Sequence, residues 1–211
     1  MTVKIGHASI DENGNATGGA AGDQTGKEVC TRNWYTKGWN ALLRPKSATL
    51  AELSARACEA ACENPNIGYN QGGRNTLYTK AKAVDFDLAA VGACECDCSS
   101  LMHVCAIAGG ANLKYDGNGY TTRTMVAAFK ASGDYEKLTD SKYLTADTYL
   151  KRGDILVKEG VLKDDDTKTI RSRDGSRVLY DKENPRSEIY IYTYREEADE
   201  WLQKTEQECS P

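Results

Sequence analysis

The run Glu95-Cys96-Asp97-Cys98-Ser99-Ser100-Leu101-Met102-His103-Val104-Cys105 holds the residues best suited to covalent chemistry. A thiol preceded by an acid and followed by two small hydroxyls and an apolar stretch is how a cysteine nucleophile is seated at a helix start. Asp97 and Ser99 are capping residue types, and Leu101, Met102, Val104, Cys105 and Ile107 continue at helical spacing. A thiol in the first turn feels the positive end of the helix dipole and unpaired backbone N–H groups, which favour thiolate. Thiol hydrolysis also needs a base, and the chain has two imidazoles, His7 and His103. Five residues along a helix is about 500° of rotation, so His103 does not share a face with Cys98. His7 is the remaining candidate, since chain order does not constrain the geometry of a catalytic group, though a histidine followed by Ala-Ser-Ile is as easily structural.

The other candidates each carry a plainer reading. Asp23 and Gln24, in the loop Gly22-Asp-Gln-Thr-Gly, could line a cleft or an oxyanion site with Asp97 and Ser99, or could simply make a turn. Trp34, Tyr35 and Trp39 could stack on a sugar or peptide, but core anchoring is the better reading. Tyr190, Tyr192 and Tyr194 alternate along one strand face, the period of ordinary packing. Cys58 and Cys62 fall on one helical face, and with Cys94 and Cys96 they offer four thiolates to a structural zinc. That spacing is not the usual two-residue loop, so the metal reading is the weaker one. Asp11-Glu-Asn-Gly-Asn lacks the distal glutamate of a calcium loop. No cofactor is expected.

The elements that must position Cys98 are legible from spacing and punctuation. Residues 48–63 are alanine-rich with apolar spacing of three and four, a helix stopped by Asn64-Pro65. Further helices are expected over residues 73–83, 98–108 and 121–131, the second of these ended by Gly109-Gly110. Residues 5–29 are rich in Gly, Asn, Asp and Thr and read as a loop. Strands are expected at 153–158, 168–172, 176–180 and 187–194, with Asp174-Gly175 as a hairpin turn, and a terminal helix at 195–207. Helices first and strands after give an α+β class.

With 211 residues, 40% hydrophobic and 27% charged, the chain is long enough to bury a real core. A net charge of −4 argues against a nucleic-acid partner. No apolar run reaches the length of a membrane span, and the start Met-Thr-Val-Lys-Ile-Gly-His is not a signal peptide. Eight clustered cysteines do not form a spaced disulfide framework, so reduced thiols are expected. Residues 161–211 hold 9 Lys+Arg against 13 Asp+Glu and one of the 19 glycines, Gly175. A boundary near Gly160 follows. It separates residues 1–160 from an acidic part, 161–211, whose strands complete the sheet of the first.

Several motifs together carry a resemblance. Ile5-Gly-His-Ala-Ser-Ile-Asp-Glu-Asn-Gly, Ala21-Gly-Asp-Gln-Thr-Gly-Lys-Glu-Val, Arg32-Asn-Trp-Tyr, Leu43-Arg-Pro, Asn66-Ile-Gly-Tyr-Asn-Gln, Asp97-Cys-Ser-Ser-Leu and Tyr149-Leu-Lys-Arg-Gly-Asp-Ile-Leu-Val resemble phage and prophage lysins of the NlpC superfamily of papain-like cell-wall hydrolases. The resemblance covers residues 4–160. It implies a papain-like core with a nucleophile helix packed on an antiparallel sheet. It also implies a cysteine peptidase or amidase acting on peptidoglycan, with Cys98 the nucleophile. The partner would be the bacterial wall, or other virion proteins. The protein would wait in the host cytoplasm until lysis or ride in the virion. The family's base lies on a strand just after Gly-Asp-Ile-Leu. Here Lys158-Glu-Gly-Val-Leu-Lys-Asp follows instead, and no histidine occurs after His103. The alternative is therefore a catalytically silent structural or wall-docking protein on the same fold.

Overall fold

The structure is a computed structural model that describes residues 3–9, 20–23, 28–36 and 38–159, together with the backbone of four strands between residues 168 and 208. In chain order its elements are β1 (Val3–Ala8), β2 (Val29–Asn33), β3 (Ala41–Pro45), α1 (Ala48–Glu63), β4 (Ile67–Tyr69), α2 (Thr76–Lys82), β5 (Cys94–Cys96), α3 (Cys98–Ala108), α4 (Thr122–Ala131), β6 (Tyr135–Leu138), β7 (Ile155–Lys158), β8 (Lys168–Arg171), β9 (Arg177–Tyr180), β10 (Arg186–Arg195) and β11 (Trp201–Glu208). The class is α+β.

Helix α1 forms where alanine content and capping agree. Ser47 accepts from the Leu50 amide at 3.3 Å, and Leu50, Ser54, Ala55, Cys58 and Ala61 make its buried face. Asn64 ends it before Pro65, and its side-chain amide donates to the Leu88 and Val91 carbonyls at 2.8 and 2.9 Å. Helix α3 runs through the middle of the larger core: every residue from Cys98 to Ala106 is buried. Met125, Val126 and Phe129 turn α4 inward on the same core. Val3, Ile5, Trp39, Leu42, Leu150 and Leu156 form a second, smaller cluster.

The described strands lie in four groups. The largest has the order β11-β10-β1-β2, and β1 is antiparallel to both neighbours, with His7 opposite Cys30 and Ile5 opposite Arg32. Strand β3 sits between β6 and β7. Strands β4 and β5 pair in parallel, with α2 in the crossover between them. Strands β8 and β9 form a hairpin-like pair, Arg171 opposite Arg177.

Three expectations are corrected. Residues 5–8 are strand, not loop, because β1 finds backbone partners on both edges, which overrides its glycine-rich neighbourhood. Residues 201–208 are extended, not helical: β11 exchanges local helical hydrogen bonds for a ladder with β10 from Thr193↔Trp201 to Arg186↔Glu208. Helices do not precede strands as a block, since β1, β2 and β3 come before α1.

Candidate functional site

Asp97 is the N-cap of α3, and Cys98 is its first helical residue. Its carboxylate accepts from the Ser100 amide at 2.8 Å, while Ser100 Oγ accepts from the Asp97 amide at 2.8 Å, a reciprocal capping box. Arg74 clamps this corner. Its Nε lies 2.5 Å from Asp97 Oδ2, and its Nη2 donates to Ser99 Oγ at 2.6 Å and to the Tyr120 carbonyl at 2.8 Å. Its Nη1 donates to the Asn118 carbonyl at 2.7 Å. One guanidinium thus ties the start of α3 to the loop that leads into α4.

That loop delivers Thr122, whose hydroxyl is 3.9 Å from Cys98 Sγ. The sulfur is fully buried, and burial pushes its thiol well above the ordinary range, with the charge of Asp97 adding to the effect. The Thr122 contact, Arg74 and the Ser99 amide oppose this without reversing it. The thiol sits at the helix start that the sequence marks, but burial, which no sequence pattern shows, outweighs the helix dipole.

Tyr69, at the end of β4 opposite Cys96, is buried near the same sulfur. Burial, then the proximity of Cys98 and Asp97, push its phenol well up. Gln71 Nε2 donates to Tyr69 Oη at 3.3 Å. Glu95 is held by the Asn70 side-chain amide at 3.2 Å and packs so closely on Gly73 that any side chain there would collide with its carboxylate. Arg74, Tyr69, Gln71 and Thr122 were not singled out from sequence as site residues. Two of them lie within or beside the Asn66–Gln71 motif, which was the available signal.

The two imidazoles are elsewhere engaged. His7 is buried on β1, with Nε2 3.2 Å from Cys30 Sγ. Among the described residues no imidazole is hydrogen-bonded to Cys98. His103 is stacked between Tyr115 and Tyr120, with ring centroids 4.6 and 4.4 Å away, and burial lowers it to about 4. It is a packed core histidine, and the helical spacing already sets it off the face of Cys98.

Asp23 is exposed, and its amide closes a turn onto the Ala20 carbonyl at 3.0 Å; its neighbour Gly22 rests on Ala93 and the Asn66 carbonyl. Gln24 lies outside the described residues. Trp39 is a core anchor, as expected. Among the described residues no three His, Cys, Asp or Glu side chains are arranged to hold a metal ion. The four-thiolate arrangement is not formed, because Cys58 turns to Cys62 and Cys105 while Cys96 Sγ rests 3.7 Å from the Gly68 carbonyl. No described helix is long and apolar enough to cross a membrane. A separate cavity of about 700 Å³, lined by Arg44, Lys46, Glu52, Glu136, Lys151 and Arg152 among others, includes none of the residues around Cys98.

The family model described as an endolysin-like domain matches residues 5–169. No curated protein and no solved structure matches the chain.

Proposed function

Because the chain belongs to the endolysin-like domain family, we propose that it acts on bacterial peptidoglycan as a lysin-type thiol hydrolase of the NlpC-like, papain-fold kind. The observation that carries this reading is the family match itself, with Cys98 inside it at the first position of a capped helix. In this reading the Cys98 sulfur attacks an amide carbonyl of the wall peptide. The amine leaves with a proton, and water then hydrolyses the acyl-thioenzyme. Backbone N–H groups of Cys98 and Ser99, at the N-terminal end of α3, hold the oxyanion. Thr122, at the start of α4, lies against the sulfur that the substrate has to reach.

A second reading is favoured by a specific observation. Cys98 is sealed and protonated, and the imidazole proposed as its base, His7, faces Cys30. On that reading the protein keeps the lysin fold and docks on the wall, in the virion or at the host surface, without cleaving it. Loss of turbidity of purified walls, measured with wild type, Cys98→Ala and His7→Ala, separates the two. Clearing by wild type that vanishes in Cys98→Ala establishes the hydrolase, and a fall of ~10²–10⁴-fold in His7→Ala would make His7 its base. No clearing, with wild type still sedimenting with the walls, establishes the docking protein.

A further inference from the structure

A second thiol in this fold has the partner that Cys98 lacks. Cys30 is half-buried on β2, and the register of β1 and β2 places it directly opposite His7. The sulfur is 3.2 Å from His7 Nε2, within the reach expected of a nucleophile and its base. Arg32 lies two residues on, hence on the same face of β2, and interacts with the Cys30 thiol. On the other side, β2 packs against α1, which brings the half-buried Cys62 close enough to raise the Cys30 thiol. Burial comes first in pushing that thiol up to about 11, so it rests as S–H at neutral pH. Its reactivity must therefore come from handing the proton to a neighbour, which His7 does with the Nδ1–H tautomer.

We propose that Cys30 is a modification site for low-molecular-weight disulfides, with His7 as its base and Cys62 as the resolving thiol. In the first step the Cys30 proton passes to His7 Nε2 and the sulfur attacks one sulfur of the small disulfide. A mixed disulfide forms, and the departing thiolate takes the proton from His7. In the second, the Cys62 sulfur attacks the Cys30 sulfur, and the second small thiolate leaves with the Cys62 proton. The protein dithiol is oxidised to a Cys30–Cys62 disulfide, and one small disulfide is reduced to two thiols. The site does not depend on Cys98 being active.

The test uses the full chain and oxidised glutathione, with non-reducing peptide mapping by mass spectrometry. Wild type is expected to accumulate the Cys30–Cys62 link, and Cys62→Ser to stop at glutathionylated Cys30. His7→Asn is expected to slow modification of Cys30 at least ~10-fold. A dominant link that omits Cys30, or a His7→Asn protein that reacts at the wild-type rate, overturns the proposal. Should His7→Asn fail to fold, wild type still decides the matter through iodoacetamide mapping across pH. Modification of Cys30 that rises through the imidazole range of about pH 5–8 supports the base. A rate that climbs only toward pH 11 refutes it.

Discussion

Arg74 illustrates how one side chain decides the shape of a site. It is 12% exposed and is paired with an Asp97 that is 1% exposed, so removing it strands a buried carboxylate at the helix cap. Arg74→Met should cost about 3–5 kcal/mol, the usual penalty for breaking a buried pair. Arg74→Lys keeps the charge but loses the fork, and should recover only part of the loss. Chemical denaturation of the three proteins measures both. The imidazole of His103 makes a different kind of statement. Its folded-state value of about 4 lies below the 6.5 of a free histidine. Below pH 6.5 the unfolded chain takes up a proton that the folded chain refuses until about pH 4. Stability is therefore whole above pH 6.5 and is lost as pH falls through this window, by at most about 3 kcal/mol. His103→Phe, which retains a ring between the two tyrosines, should melt with a visibly flatter acid limb between pH 7 and 5. Sequence spacing correctly turned His103 away from Cys98. It could not reveal the Tyr115 and Tyr120 rings, which arrive from a loop without periodicity.

Among the elements, those with strong local signals were legible in advance. Helix α1 forms at 48–63, where the sequence predicts it, because alanine propensity, a serine cap and a proline stop agree. Helix α3 likewise starts where Asp97 caps it. Strands β3 and β6 went unread, since Ala41–Pro45 and Tyr135–Leu138 are short and carry no alternation. What makes them strands is each other and β7, pairings that no local window contains. The site suffered from the same limit. Cys98 and Asp97 mark a helix start, whereas Tyr69 and Arg74 reach the site from the β4–α2 stretch and Thr122 from the start of α4. Gly153, just ahead of β7, shows what that packing demands. Its φ is +85°, and an added Cβ would lie 2.6 Å from Ala51 Cα and 2.7 Å from the Ala51 carbonyl oxygen, both backbone atoms that cannot turn away. Gly153→Ala should destabilise by more than about 2 kcal/mol, combining left-handed strain with the collision. A thermal melt against wild type would show it. A change under 0.5 °C would mean that β7 and α1 can slide apart at no cost.

The whole molecule is joined by strand pairing between distant stretches of chain. Strand β1 lies between β2 and β10, and β10 falls beyond the residues matched by the endolysin-like family. A chain ending at Gly160 would leave one edge of β1 bare along Val3 to Gly6, and should be insoluble or unfolded. A cooperative melt equal to that of the full chain would instead make residues 161–211 a separate unit. The central place of β1 also bears on synthesis. The strand that carries His7 is made well before its partner, Ile191 to Arg195 on β10. At about 5–20 residues per second, β1 waits some ten seconds or more for that partner. During that interval the sheet has an unsealed seam, a bare strand edge open to pairing with other chains. Any wall-directed activity that depends on the closed sheet would then be withheld until β10 has been made.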